Sequence, residues 1–197
     1  AYFGLQYEDM SLHESIFALL ANKHERILAA KVDGSTKEDF VWGFRGGFVT
    51  FGCKGMDRKH YEALEKKLMG IIRSSISSSP SPTQYILLKA IEHPSYHEQK
   101  EQFKQLLLKR YQTVKRFLEK HPCPSVLKTL PFNSGYFMCF ECNGINAEIL
   151  RLHLLNTYGI GTISIQEKWL RVAFSSVNEE HIEDLYAHIF KAAEECK

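Results

Sequence analysis

One glycine-rich loop of this sequence carries a lysine, an arginine and two hydroxyl side chains within residues 33–47. The amine of Lys37 can form an imine with an aldehyde. The guanidinium of Arg45 and the hydroxyls of Ser35 and Thr36 can bind a phosphate dianion, and the neighbouring glycines let the backbone approach a ligand closely. Each charge alone would usually be a solvated surface group. Together they predict a site for an aldehyde that carries a phosphate, as pyridoxal phosphate (PLP) does.

The spacing within this loop is specific. Arg45 follows Lys37 by eight residues, and it stands in the sequence Gly43-Phe44-Arg45, with a further glycine at Gly47. This pattern resembles the lysine signature of the class I/II aminotransferases, which are PLP enzymes of the aspartate-aminotransferase fold. The resemblance implies that Lys37 is the Schiff-base lysine and that Arg45 binds the phosphate of PLP.

The loop departs from the family pattern at several positions. Gly34 stands where the family usually has a serine three residues before the lysine, and Ser35 stands where an apolar residue is common. Phe40 and Gly46 are also atypical. The resemblance implies a phosphate-binding hydroxyl in this loop, and both Ser35 and Thr36 remain candidates for it.

The first residues resemble a second part of the same family. Ala1-Tyr2-Phe3 is similar to the strand that carries an Asp-x-x-Tyr sequence, and Tyr2 matches its tyrosine. The resemblance implies that Tyr2 donates a hydrogen bond to the ring oxygen of the cofactor. The aspartate that pairs with the pyridine nitrogen would precede Ala1. Without that resemblance, a tyrosine at the end of a strand is more often a packing residue.

A third match lies near the end of the chain. Residues 169–180 resemble the late small-domain strand of the family, in which an arginine alternates with apolar residues. The resemblance implies that Arg171 binds the substrate α-carboxylate, and a planar guanidinium suits that task because it can bind a carboxylate through two parallel hydrogen bonds. The period of a strand places Arg171 and Ala173 on one face and the apolar residues on the other. The alternative is that Arg171 is a surface charge of an edge strand. The segment 133–138 also resembles a family strand whose glycine and aromatic lie near the substrate.

The elements of the first half predict an α/β layer pattern. Residues 27–32 predict a short apolar strand, residues 48–51 predict a strand that looks buried, and residues 33–46 between them predict a loop. The remaining predictions are the end of a strand at 1–5, a helix from the capping box Ser11–Glu14 to about Asn22, and a helix from Asp57 to about Arg73. The serine- and proline-rich segment 74–82 predicts a loop, either a flexible linker or a structured loop near an active site or dimer contact.

The second half predicts a small α+β unit that follows a long helix. Helical signals resume at Thr83, and a capping box at 95–98 begins a helix that can reach Lys120. Gly159 fits a helix end and Asn178 fits a helix cap. The predicted strands are near Val126 and at 136–140, 161–165 and 169–174, and the predicted helices are 147–158 and 179–193. The resemblance divides the chain into the remainder of a PLP-binding large domain, residues 1–90, and a small C-terminal domain with a long connecting helix, residues 91–197.

Composition excludes several classes of protein. The 197 residues carry a formal net charge of +2 and are 44% apolar, which gives no electrostatic case for binding nucleic acid or an anionic membrane. No apolar run approaches the roughly 20 residues that span a bilayer. Five cysteines form no disulfide-like framework and favour a reducing, cytoplasmic setting. The Cys139-x-x-Cys142 pair predicts no metal site, because residues three apart on a strand face opposite ways.

The sequence therefore predicts an aminotransferase that moves an amino group between an amino acid and a 2-oxo acid. The resemblance implies a homodimer with active sites at its interface. It also implies that this chain is the C-terminal portion of the enzyme and is inactive alone. Two alternatives stay open: another PLP chemistry on the same fold, such as a C–S lyase or a decarboxylase, or a regulatory or interaction domain that retains the fold without catalysis.

Overall fold

A computed structural model describes residues 2–9 and 14–197 of the chain. The chain divides into two compact units, Ala1–Gly4 with Asp9–His97, and Leu5–Glu8 with Glu98–Lys197. Both helices and strands are present, and the predicted α/β class is confirmed. Among the described helices, none is both long and apolar enough to cross a bilayer.

The first unit is built on a two-stranded antiparallel sheet. Its elements are α1 (Phe17–Ala21), β1 (Ala29–Gly34), α2 (Ser35–Glu38), β2 (Gly47–Gly52), α3 (Arg58–Ser75) and α4 (Ser81–Ile91). The strands pair from Ala29 opposite Gly52 to Gly34 opposite Gly47. The chain therefore leaves β1 and enters β2 at paired positions, so the ladder holds both ends of the loop that carries Lys37.

Helix α3 begins where its capping residues predict. The Asp57 carboxylate accepts the backbone N–H of His60 at 3.2 Å, and the backbone N–H of Asp57 donates to Nδ1 of His60 at 3.3 Å. This reciprocal pair satisfies two amide groups that a helix start otherwise leaves without partners. Two polar side chains at a spacing of three are a local signal, and the start of α3 could therefore be read from the sequence.

The structure differs from three local predictions in this unit, and a fourth falls mostly outside the described residues. Residues 2–5 form no strand, and most of the capping box at Ser11–Glu14 lies outside the described residues. The segment 33–46 is not wholly loop, because α2 forms one helical turn within it. The serine-rich segment is shorter than predicted: α3 extends through Ser75 and α4 begins at Ser81, with a proline in its first turn, a position where the missing N–H of proline costs no hydrogen bond.

The second unit packs helices on a four-stranded antiparallel sheet. Its elements are α5 (Tyr96–Lys120, which begins in the first unit), β3 (Leu127–Thr129), β4 (Met138–Cys142), α6 (Ala147–Tyr158), β5 (Ile163–Ile165), β6 (Trp169–Val172) and α7 (Ile182–Glu195). The strand order is β3-β4-β6-β5. Its core is one cluster of apolar side chains from α5, β3, β4, α6, β6 and α7. Strands β4 and β6 alternate buried and partly exposed residues, as a sheet with one face covered requires.

Helix boundaries in this unit follow local chemistry in most places. Helix α6 covers the predicted residues and ends at Gly159, whose φ of 67° is the left-handed conformation that glycine adopts without strain. Asn178 precedes a 3-10 turn at Glu179–His181 but makes no side-chain capping bond. The regular helix therefore begins later than predicted, at Ile182. Strand β6 ends at Val172, and a 3-10 turn at Phe174–Ser176 follows it.

The short segment Leu5–Glu8 belongs to the second unit, which the sequence did not indicate. The backbone N–H of Tyr7 donates to the Asn133 carbonyl at 2.9 Å, and the Tyr7 hydroxyl donates to the Gly135 carbonyl at 2.6 Å. The Tyr7 ring stacks on Tyr111 with centroids 4.7 Å apart. These contacts anchor the segment beside the backbone that leads into β4.

We expect the core of the second unit to depend on Leu154. This side chain of α6 is fully buried, whereas Leu152 on the same helix is 42% exposed. Leu154→Ala should lower the free energy of unfolding by about 3 kcal/mol, because the apolar burial is lost and a cavity remains. The matched variant Leu152→Ala should cost less than about 1 kcal/mol. Urea denaturation followed by circular dichroism measures both, and equal losses would contradict the assigned packing.

Candidate active site

The candidate site in the first unit is the connection between β1 and β2. Lys37 lies in the single turn of α2, directly after β1. The backbone N–H of Asp39 donates to the Ser35 carbonyl at 3.1 Å, and that of Val41 donates to the same carbonyl at 3.5 Å. The N–H of Phe40 donates to the Lys37 carbonyl at 3.4 Å. These bonds close a compact turn around Lys37.

Two residues of this connection have left-handed backbone conformations. Phe40 has φ 58° and Arg45 has φ 54°. Residues other than glycine adopt this region rarely, and it persists only where the surrounding structure holds it. Such residues concentrate at ligand sites, so the backbone of this connection has the character of a functional loop.

Ser35 occupies a distinctive environment at the start of the turn. Its residue is 1% exposed, and its Oγ has no hydrogen-bond partner among the described residues. A buried hydroxyl without a partner is unfavourable by about 1–3 kcal/mol. A side chain at Gly46 would place its Cβ 3.8 Å from this Oγ and 3.1 Å from the Leu87 side chain. Glycine at this atypical position therefore keeps a side chain out of the space beside the hydroxyl.

The structure brings Tyr2 and Lys37 together. The Lys37 Nζ lies 5.8 Å from the centre of the Tyr2 ring, within the range of an attraction between a cation and an aromatic face. Both side chains are partly buried. Tyr2 and Lys37 are far apart in sequence, and their proximity is the arrangement that the sequence resemblance implies.

Arg45 and Thr36 are less closely tied to the turn. Arg45 is exposed, and its Nη1 donates to the Trp42 carbonyl at 3.4 Å. This bond keeps the guanidinium on the surface of its own loop. Thr36 is half-buried beside Ser35. Of the two hydroxyls, that of Ser35 is therefore the one that is buried and lacks a hydrogen-bond acceptor among the described residues.

Arg171 lies in the second unit and is described there by itself. Leu170 and Val172 on either side of it are buried, which confirms the predicted alternation on β6. The guanidinium carbon of Arg171 lies 4.6 Å from the centre of the Phe137 ring, and its Nε is buried without a hydrogen-bond partner among the described residues. On the neighbouring strand, Cys139 is its paired residue. Stacking of this kind holds a guanidinium plane in a fixed orientation.

One contact to the turn was not indicated by the sequence. The hydroxyl of Tyr96, at the start of α5, donates a hydrogen bond to the Asp39 carboxylate, 57 residues away in the chain. The two residues lie in separate segments of the sequence, and no local signal could have paired them.

The two cysteines of β4 lie on opposite faces of the strand, as the period of a strand predicts. Cys139 is partly exposed and Cys142 is buried on the other face of β4, and the part of the chain that the structure describes has no cluster of side chains able to hold a metal ion. All five cysteines are unpaired.

Burial raises the pKa of the Cys142 thiol from 9.0 to about 11, so we expect slow alkylation of the folded protein. At pH 9 the reactive thiolate should be about fifty-fold scarcer than for an unperturbed thiol. The folded thiol keeps its proton while the unfolded thiol loses it, so stability should also fall as the pH rises from 9 to 11. Iodoacetamide labelling at pH 9, mapped by mass spectrometry, measures the rate, with the denatured protein as control. Equal rates in both states would contradict the burial of this thiol.

Comparisons with known proteins identify the family and the fold. The sequence matches the family model described as aminotransferase class I and II over residues 1–189. Comparison with curated proteins found no significant match.

Solved structures resemble the whole chain at low sequence identity. The α-aminoadipate aminotransferase LysN of Thermus thermophilus, complexed with N-(5'-phosphopyridoxyl)-L-leucine, superposes with a TM-score of 0.75 at 19% identity, over 100% of this chain and 49% of that protein. The aromatic aminotransferase of Pyrococcus horikoshii superposes with a TM-score of 0.75 at 17% identity, and the match covers 98% of this chain and 49% of that protein. The kynurenine aminotransferase of Pyrococcus horikoshii, in complex with PMP, superposes with a TM-score of 0.73 at 16% identity. The match covers 98% of this chain and 46% of that protein. At these identities the likeness shows the fold, and the chain spans about half the length of the structures it matches.

Proposed function

This chain belongs to the class I and II aminotransferases, and from that premise we propose that it forms part of an enzyme that transfers an amino group between an amino acid and a 2-oxo acid with PLP as cofactor. The observation that carries the proposal is the turn between β1 and β2. It combines Lys37, close to Tyr2, with a buried Ser35 hydroxyl that has no protein partner among the described residues. We assign residues 1–90 to the PLP-binding domain and residues 91–197 to the small domain.

The residues of the turn fit the cofactor. The Ser35 hydroxyl can donate to a phosphate oxygen in the space that Gly46 leaves open. Thr36 and Arg45 are the further phosphate ligands, and Arg45 would turn from the Trp42 carbonyl or share its donors. Lys37 would hold the cofactor covalently through its amine, and Tyr2 would donate a hydrogen bond to its ring oxygen. When bound, PLP supplies an electron sink for the substrate Cα.

The remaining roles belong to the substrate side. Arg171 binds the α-carboxylate through the N–H donors of its guanidinium, and contact with the Phe137 ring restricts the orientation of that group. Fixing the carboxylate orients the Cα–H bond for removal of its proton. Lys37 would act as the acid–base group that moves this proton between the substrate Cα and the cofactor, in one direction for the amino acid and in the other for the 2-oxo acid.

We also propose a homodimer in a reducing, cytoplasmic setting. Helices α3 and α4 expose large apolar side chains, among them Met69, Ile71, Ile86 and Leu88. Apolar surface of this kind is characteristic of protein–protein contacts. Five unpaired cysteines are consistent with a reducing compartment.

Transfer of labelled nitrogen tests the proposed reaction. The protein from its complete reading frame would be supplied with PLP, a ¹⁵N-labelled amino acid and an unlabelled 2-oxo acid, across a panel of side chains. We expect ¹⁵N in the amino acid formed from the 2-oxo acid. Release of labelled ammonia or of carbon dioxide instead would identify a lyase or a decarboxylase, and the absence of any product would favour a non-catalytic domain.

A further inference from the structure

The hydrogen bond between Tyr96 and Asp39 ends on the turn that carries Lys37. Asp39 is two residues after Lys37 and caps α2, since its backbone N–H donates to the Ser35 carbonyl. Its carboxylate accepts a hydrogen bond from the Tyr96 hydroxyl. One residue therefore closes the Lys37 turn through its backbone and attaches it to another helix through its side chain.

The turn requires such an attachment. A helix of four residues has almost no stability of its own, because the cost of nucleation is not offset by further hydrogen bonds. Phe40, immediately after Asp39, has a left-handed backbone, which is a further unfavourable term. Contacts from outside the turn must therefore hold it in place.

Tyr96 is well placed to provide that hold. It begins α5, which continues for 25 residues. Its backbone N–H donates to the His93 carbonyl at 3.0 Å, and the preceding Ser95 N–H donates to Nδ1 of His93 at 3.2 Å. The hydroxyl is thus presented from a fixed backbone. Hydrogen bonds to a carboxylate are about twice as strong as those between neutral groups.

We propose that Tyr96 is a positioning residue for Lys37, acting through the Asp39 carboxylate. Its hydroxyl holds the α2 turn in the orientation that directs the Lys37 amine toward the aldehyde carbon of the cofactor. This inference rests on the proposed function for the cofactor, but the contact itself can be tested without it.

The first test measures amide hydrogen exchange in the absence of cofactor, on the protein from its complete reading frame. Tyr96→Phe removes only the hydroxyl, and we expect exchange at the Asp39 and Val41 amides to become about tenfold faster. Tyr85→Phe is the matched control, because Tyr85 is a 63% exposed tyrosine of the same unit, and it should change nothing at these amides. Unchanged exchange in Tyr96→Phe would overturn the proposal.

The second test measures PLP binding by visible absorbance. We expect Tyr96→Phe to weaken binding about tenfold and to shift the pH at which the visible spectrum changes. When it is combined with Asp39→Asn, the effect should be smaller than the sum of the two single effects, because the two residues share one hydrogen bond.

The two proposals fail in different ways. If the wild-type protein never attaches PLP to Lys37, the proposed function fails while the exchange result still decides whether Tyr96 orders the turn. If wild type attaches PLP and Tyr96→Phe binds it equally well with the same pH dependence, the positioning role of Tyr96 is wrong. Additive effects of the Tyr96 and Asp39 variants would also overturn it.

Discussion

Lys37→Ala is expected to abolish attachment of PLP to the protein and to reduce amino transfer by on the order of 10⁴-fold or more. The same amine is proposed to hold the cofactor and to move the substrate proton, and a positioned acid–base group alone contributes about 10²–10⁴-fold. Borohydride reduction followed by peptide mapping would show the mass of the cofactor on Lys37 in wild type and its absence in the variant.

Lys31→Ala is the matched control for this experiment. The Lys31 Nζ also lies over an aromatic ring of the first residues, 5.9 Å from the centre of Phe3, but it forms an ion pair with Asp33 at 3.1 Å. We expect this variant to attach PLP on Lys37 as wild type does. Two results would contradict the assignment of Lys37 as the attachment site. One is the mass of the cofactor on Lys31, and the other is its mass on any other lysine of the Lys37→Ala protein.

Arg171→Lys is expected to raise KM for the amino acid about 10- to 100-fold, with a smaller effect on PLP binding. Lysine keeps the positive charge but loses the planar fork, so one of two charge-assisted hydrogen bonds to the carboxylate disappears. Its flexible ammonium also loses the stacking on Phe137. Steady-state kinetics, with PLP absorbance measured in parallel, separate a substrate defect from a cofactor defect.

Arg151→Lys provides the corresponding control. Arg151 lies on α6 and binds Glu148 at 2.6 Å near the surface, so the substitution tests the loss of an arginine fork away from the candidate site. The KM of the Arg151→Lys variant for the amino acid should equal that of wild type. If Arg171→Lys also keeps a wild-type KM, the arginine is a structural residue of β6 and another cation binds the carboxylate.

Local signals account for the elements that could be predicted from the sequence. The start of α3 at Asp57 and the end of α6 at Gly159 depend on one or two residues whose chemistry acts on the adjacent backbone. The alternation around Arg171 follows from the period of a strand covered on one face. The eight-residue spacing of Lys37 and Arg45 in a glycine-rich loop was likewise enough to indicate the family, which the match over residues 1–189 confirms.

Boundaries were missed where the decisive contact was not local. The strand predicted for residues 1–5 is absent from residues 2–5, and the segment Leu5–Glu8 hydrogen-bonds to the backbone near Asn133 and Gly135. The α2 turn was assigned to a loop because four residues carry no helical period. Asparagine is a common helix cap, but Asn178 precedes a 3-10 turn and its side chain makes no capping hydrogen bond.

The sequence by itself therefore determined the α/β class, the family and the residues whose functional groups could bind a cofactor or a substrate. Only the tertiary structure decided that the Ser35 hydroxyl is buried without a partner among the described residues, that Arg171 stacks on Phe137, and that Tyr96 holds Asp39. The physical reason is the range of the interactions. Capping and strand alternation act within a few residues, whereas burial, stacking and a hydrogen bond across 57 residues arise only after the chain has folded.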